Sequence, residues 1–195
     1  ELAALDRSTT RGGELEAERV ALRREIATSP GELADARESG ADRLETAVRE
    51  RLSTLGMGEG RFIVNLVRSP DREGVEWCGE RYAWSRAGIE EVSFLIAPNP
   101  GENARPLSQI ASGGELSRVL LAIKSALAAV DRVPTLVFDE IDAGIGGVVG
   151  HHVARQLKVV AEHHQVVVVT HLAQIAAVAD RHLLVEKTTT GGRTV

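Results

Sequence analysis

Apolar and polar positions change their rhythm twice along this 195-residue chain. Over residues 1–56 the period is helical. Ala41, Leu44, Val48, Leu52 and Leu55 recur at steps of three and four, which places them on one helix face, and Leu15, Leu22 and Ile26 form a shorter stripe. Thr10-Arg11-Gly12-Gly13 and Ser29-Pro30-Gly31 interrupt the pattern, so two or three helical pieces are predicted. They read either as a coiled-coil arm returning to a globular body or as an ordinary helical hairpin packed on a core. Gly56-Met57-Gly58 ends this stretch. Residues 61–68, 75–84 and 89–97 then have the alternation of strands, with Phe62, Val64 and Leu66 sharing one face and Val92, Phe94 and Ile96 another. Ser69-Pro70-Asp71 and Arg86-Ala87-Gly88 mark the turns of an antiparallel meander, closed by Pro98-Asn99-Pro100-Gly101.

From Leu107 the rhythm changes again. A helix is predicted over 113–130, with Leu116, Val119, Leu120, Ile123, Ala126 and Leu127 on its apolar side. Thr135 to Phe138 is a short continuous apolar run, as expected of a strand buried on both faces. A helix over 147–162, a strand over 165–169, a helix over 172–179 and a third strand over 182–185 follow. Strands alternating with helices predict parallel βαβ units. Residues 188–195 read as a turn or frayed end. The division is thus a helical, coiled-coil arm segment over 1–56 and an α/β lobe over 57–195.

Composition narrows the function classes. At 43% hydrophobic the chain can build a core, and with 3% aromatics that core is aliphatic. A net charge of -5 gives no bulk electrostatic case for nucleic-acid binding. Cys78 is the single cysteine, so no internal disulfide forms and an intracellular setting is favoured. No apolar run approaches the roughly 18 residues of a membrane span, and no signal peptide is visible. The first residue is Glu, so the chain reads as a piece of a longer protein.

Three short motifs carry the chemistry. Ser112-Gly113-Gly114-Glu115 opens the 113–130 helix. Ser112 with Glu115 three residues on has the spacing of a capping box. The glycines let backbone approach a ligand, and the helix N-terminus offers free N–H groups and a positive dipole, so the motif can grip a phosphate. A well-capped helix with no ligand has the same spacing. Leu136-Val137-Phe138-Asp139-Glu140 is an apolar strand delivering two acids at its C-terminal end, where ligands bind in open α/β sheets. Asp139 suits a water-mediated hold on Mg²⁺, and Glu140 suits polarisation of an attacking water. Asp142-Ala143-Gly144-Ile145-Gly146-Gly147 continues as a tight loop, whose glycines otherwise serve only the bend. His171, after Val166 to Thr170, stands where a histidine can donate to a γ-phosphate; lone histidines are more often structural. His151, His152, His163, His164 and His182 make no metal spacing with Cys78 and read as surface or packing residues. The lysines are Lys124, Lys158 and Lys187, and none follows a Gly-rich loop, so the G-x-x-x-x-G-K-[ST] motif is missing.

The order of these motifs resembles the C-terminal half of an ABC-type ATPase. Ile110 to Arg118 with Ala122-Ile123-Lys124, Pro134 to Asp142, and Val169 to Leu172 with Gln174-Ile175-Ala176 resemble the bacterial RecN family of SMC-like DNA-repair ATPases. The likeness runs over roughly residues 50–188 and is most specific from 107 to 187. Gly146-Gly147 and Ala173 depart from the family pattern without touching the chemistry. The resemblance implies an α/β fold, the C-terminal half of an ABC/SMC-type head, with a parallel βαβ sheet, an antiparallel meander and a coiled-coil arm. It implies ATP and Mg²⁺ as ligands and an ATP hydrolase that is incomplete without a Walker A loop from elsewhere. By the same resemblance, Ser112, Gly113, Gly114 and Glu115 contact ATP held on an opposite head. Asp139 supports Mg²⁺, Glu140 is the catalytic base, Asp142 lies in the head–head loop, and His171 senses the γ-phosphate. The implied partners are the N-terminal Walker A segment of the same protein, a second head and DNA, in the bacterial cytoplasm at the nucleoid, with no membrane. An ABC transporter subunit and an inert coiled-coil module with an ATPase remnant are the rival readings.

Overall fold

The computed structural model describes residues 2–185, 189–190 and 193–194, with backbone alone for most of the first thirty. Contacts divide the chain into two compact units, 1–46 with 62–96 and 47–61 with 97–195. Among the described residues no helix is long and apolar enough to cross a membrane.

The first unit begins in helix α1 (Leu2–Thr54), which is a single helix of 53 residues. The predicted breaks do not occur. Gly31 lies where Trp77 packs on the helix; a Cβ there would stand 3.3 Å from Trp77 Cδ1. It therefore marks a close approach and not a helix end. Pro30 carries a cost of about 3 kcal/mol in a helix interior. Helix formation is cooperative with a costly nucleus, so long flanking segments carry such a residue. Of the two predicted stripes, Val48, Leu52 and Leu55 are fully buried, whereas Leu15 is 55% exposed. The side chains of Leu22 and Ile26 lie outside the described residues.

Strand β1 (Arg61–Arg68) neighbours β4 (Glu90–Ala97), with the Phe62 and Phe94 rings 5.5 Å apart. The single strand predicted over 75–84 is instead the junction of β2 (Pro70–Trp77) and β3 (Glu80–Tyr82), an antiparallel hairpin. Cys78 and Gly79 both adopt positive φ, 50° and 83°, which is the two-residue turn that matches strand twist. The ladder slips between Pro70 and Val75, and Gly74 is required at that bulge, because a Cβ would collide with the Tyr82 carbonyl. Ala34, Val75 and Ile89 form a small core flanked by Trp77 and Tyr82. Glu90 is buried beside it and binds Arg37 (3.0 Å) and Arg68 (2.9 Å).

The second unit continues through β5 (Arg105–Pro106) and a 3₁₀ turn at Leu107–Gln109 into α2 (Gly113–Leu127). Then come β6 (Thr135–Phe138), α3 (Gly147–Ala161), β7 (Gln165–Val168) and the short α4 (Ala173–Ala176). Helix α2 buries Val119, Leu121, Ala122 and Ile123, and α3 buries Val153, Ala154, Leu157 and Val160. Leu120, expected on the apolar side, is turned partly outward while Leu121 is fully buried. Ser125 of α2 is buried but satisfied, accepting from Arg51 Nε (3.2 Å) and donating to Gln156 Oε1 (2.5 Å).

β6 and β7 pair in parallel, with Thr135 opposite Gln165 and Phe138 opposite Val168, and α3 is the crossover. The strand expected to be buried on both faces is covered on one. Leu136 and Phe138 are buried, but Val137 is 68% exposed, as are Val167 and Val169 to lesser degrees. Nor do residues 182–185 form the predicted third strand: their backbone is irregular, and Leu183 is 94% exposed. A short apolar segment becomes a strand only beside an edge that takes its hydrogen bonds. Thr189–Thr190 and Arg193–Thr194 form a minimal hairpin, β8 with β9. Residues 186–188, 191–192 and 195 lie outside the described residues.

Candidate functional site

Parallel pairing delivers the C-terminal ends of β6 and β7 to the same edge of the sheet. Asp139 and Glu140 follow β6 and are exposed there; Thr170 and His171 follow β7. Asp139 Oδ1 accepts the Glu140 N–H (2.8 Å), which turns the chain sharply. Glu140 has φ 55°. A non-glycine residue in the left-handed region costs about 1 to 2 kcal/mol, and such strain persists where surrounding structure imposes it. Here the imposing element is α2.

Ser112 is the N-cap of α2, and its Oγ accepts the Glu115 N–H at 3.4 Å, which is the serine half of the expected capping box. Ser117, one turn further on, donates from Oγ to the Asp139 carbonyl (2.7 Å). The loop after β6 lies against the two glycines. A Cβ at Gly113 would collide with the Glu140 carboxylate, and one at Gly114 would stand 2.9 Å from Ala143 Cβ and 3.1 Å from the Glu140 carbonyl. The glycines, which the sequence suggested were small to admit a ligand, are small enough here to admit the protein's own acid loop. Arg118 secures the same loop, donating from Nη1 to the carbonyls of Ala143 (2.9 Å) and Ile141 (3.5 Å).

Asp142 is buried, and its Oδ2 gathers three donors: Thr170 Oγ1 (2.5 Å), the His171 N–H (2.8 Å) and His171 Nδ1 (3.0 Å). Burial pushes this carboxyl up, but the bonds from Thr170 and His171 and the charge of His171 outweigh it and hold the pKa below the ordinary carboxylate value. The His171 ring is 75% exposed, with Nδ1 turned to Asp142 and Nε2 left for a ligand. Thr170 Oγ1 also accepts the Leu172 N–H (3.0 Å). The imidazole is therefore aimed by its neighbours although it is solvent-accessible.

Two clusters result, joined by one short loop. Gly113, Gly114, Ser117, Asp139 and Glu140 form the first; Asp142, Thr170 and His171 form the second. Ser112 and Glu115 are on the rim at the start of α2. Arg118, Ser117 and Thr170 are the residues to which sequence reasoning gave no role. A serine or threonine one turn into a helix or beside a histidine carries no signal until its acceptor is known. Of the other histidines, His164 is a packing residue, its Nδ1 lying 2.6 Å from the Val133 carbonyl. The exposed carboxylates at the strand end suit a hard, oxygen-seeking cation, and the capped helix N-terminus beside them suits phosphate.

No family model matches the chain. Relatives do. The DNA repair protein RecN of Streptomyces coelicolor is 48% identical over 178 residues, covering 91% of this chain and 31% of that protein. RecN of Treponema pallidum is 47% identical over 158 residues, covering 81% and 26%. RecN of Deinococcus radiodurans is 41% identical over 197 residues, covering 100% and 32%. The chain thus spans about a quarter to a third of the length of the curated relatives it matches. Among solved structures, the Smc head domain with a coiled coil and joint from Pyrococcus yayanosii superposes with a TM-score of 0.50 at 20% identity, over 78% of this chain and 26% of that one.

Proposed function

Because this chain belongs to the RecN family of DNA repair proteins and has the α/β fold of an SMC-type head, we propose that it is the C-terminal part of an ATPase head acting in DNA double-strand break repair. It supplies the signature helix, the Walker B acids, the loop after them and the terminal histidine. The N-terminal segment of the same protein supplies the Walker A loop, and two heads close on ATP. The arm is α1, and the head works on DNA in the bacterial cytoplasm.

The observation that carries this reading is the contact between α2 and the end of β6. Ser117 bonds the Asp139 carbonyl at 2.7 Å and Gly113 meets the Glu140 carboxylate, so a phosphate-gripping helix start and a pair of acids move as one body. The open apolar face at Val137, Val167 and Val169, together with the separately exposed Leu183, Leu184 and Val185, supports a covering segment from the rest of the head.

The roles are those that the family resemblance implies, and the positions of the side chains support them. Ser112 and the N–H groups of Gly113 and Gly114 bind a phosphate of ATP held by the opposite head, and Glu115 shapes that helix start. Asp139 would hold Mg²⁺ through water, and the ion when bound neutralises charge on the phosphates. Glu140 orients and deprotonates the attacking water. His171 donates from Nε2 toward the terminal phosphate while Asp142 holds its Nδ1 side; the loop that carries Asp142 faces the second head. Phosphoryl transfer demands positioning and charge stabilisation more than covalent help, which these groups supply beside the Walker A loop of the N-terminal segment.

The relatives are DNA repair proteins, which favours this reading over a transporter subunit. The test is Glu140→Gln in the full-length protein. The variant is expected to bind ATP, to hydrolyse it at least 100-fold more slowly, about the loss typical of a removed general base, and to accumulate as an ATP-bound head dimer. Hydrolysis at the normal rate would remove Glu140 from the role of base. Absence of any nucleotide-dependent dimer in wild type and variant alike would favour the inert module.

A further inference from the structure

Arg118 is an unlikely residue to bury. It is 7% exposed, and among the described residues no carboxylate lies within hydrogen-bond reach of it and its Nε has no partner. Burial lowers its pKa, with the charge of Glu115 working the other way. Its Nη1 reaches two main-chain carbonyls, Ala143 at 2.9 Å and Ile141 at 3.5 Å, on either side of Asp142. A guanidinium that desolvates for carbonyl partners alone gains little stability, since an apolar side chain of the same length fills the space without the desolvation cost. Carbonyl contacts do something else: they report where a backbone is. Three links then run from α2 to the loop over residues 139–143, at Gly113, Ser117 and Arg118, and Arg118 grips the far end.

We infer that Arg118 is a positioning residue that ties the acid loop of a head to the helix whose N-terminus grips the nucleotide of the opposite head. This rests on the proposed roles of Ser112–Glu115 and Glu140. In a closed dimer, engagement of α2 by ATP then fixes the loop that carries Glu140 and Asp142, so nucleotide binding across the dimer and placement of the acids are coupled. Arg118 touches no substrate.

The test compares Arg118→Met and Arg118→Lys with wild type and Glu140→Gln in the full-length protein, reading thermal midpoint, ATP affinity, kcat and the Hill coefficient for ATP. Methionine replaces the stem and removes the head group. Expected for Arg118→Met is a thermal midpoint equal to or above wild type, ATP affinity within about twofold, a kcat lowered about tenfold or more by misplacement of the acids, and a Hill coefficient reduced to 1. Arg118→Lys, which can reach one carbonyl, recovers part of the kcat. A kcat and Hill coefficient equal to wild type in Arg118→Met would overturn the inference. So would a lowered thermal midpoint with kinetics unchanged, which is the mark of a merely structural arginine. Glu140→Gln separates the premises: normal hydrolysis there means that the reading of the site has failed, whereas a trapped dimer there beside unaltered Arg118→Met kinetics means that only the coupling has.

Discussion

Asp142 offers the most quantitative handle on the site. Replacing it by alanine strands three donors at once: the Thr170 hydroxyl, the His171 N–H and the His171 ring. Hydrogen bonds to a charged group contribute about 1.5 to 3 kcal/mol each when deleted. Thr170 is half-buried and the ring is largely in water, so water replaces part of the loss. A net destabilisation of about 2 kcal/mol is expected, or a fall in thermal midpoint of about 4 to 8 °C for a domain of this size. The pH dependence follows from the direction of the shift. The folded pKa of Asp142 is depressed, so its stabilisation is present above the ordinary carboxylate pKa of about 4 and is lost as pH falls through the folded value. The wild type should therefore lose this increment in acid, and Asp142→Ala should lack it at every pH. Hydrolysis is affected through His171. With Nδ1–H donating to a carboxylate, Nε2 is an outward donor only in the doubly protonated ring. A ring freed from Asp142 rotates and loses that aim, lowering kcat by about 100-fold, while ATP affinity changes little. The assays are thermal melts from pH 3 to 8 and steady-state Mg-ATP hydrolysis in the full-length protein. Hydrolysis within twofold of wild type in Asp142→Ala would refute the claim that Asp142 positions His171.

Gly113→Ala should displace the Glu140 carboxylate, since its Cβ occupies that space, lowering Mg-ATP hydrolysis at least tenfold with an unchanged far-UV circular dichroism spectrum; normal turnover would mean that the Glu140 contact with α2 is dispensable. Glu90→Ala leaves Arg37 and Arg68 facing each other without their buried partner and should cost about 3 kcal/mol, read by urea titration; a loss below about 1 kcal/mol would show that the cation–π contact of Arg68 with Trp77 and its bond to Glu38 hold the cluster alone.

What the sequence made legible was whatever depends on local period. Val48, Leu52 and Leu55 share a helix face and are buried as their spacing required. β1, β6 and β7 begin where predicted, and the Ser112 cap opens α2 as its spacing required. What it hid depends on partners distant in the chain. Gly31 and Pro30 looked like a break because propensity is local, whereas Gly31 is where Trp77 from a later hairpin approaches the helix. That hairpin was hidden inside one alternating run because Cys78-Gly79 is a rarer turn pair than Asn-Gly. Val137 lies in its predicted strand but was expected to be buried, and residues 182–185 were read as strand from apolarity; apolarity predicts burial only where something covers it, and among the described residues nothing covers Val137 or Leu183 to Val185. At the site, Asp139, Glu140 and His171 were visible as residue types at strand ends. The link between Asp142 and His171 was not, because 29 residues separate them and only the parallel register of β6 and β7 makes them neighbours.

The central claim is that these acids and this helix start form part of an ATP site completed by another segment of the protein. The most direct measurement is Mg-ATP hydrolysis by residues 1–195 alone, and then mixed with the protein's N-terminal segment. The account predicts no turnover above background for either piece and restored turnover in the mixture, abolished by Glu140→Gln. Hydrolysis by residues 1–195 alone would contradict it, since the nucleotide site would then be self-contained.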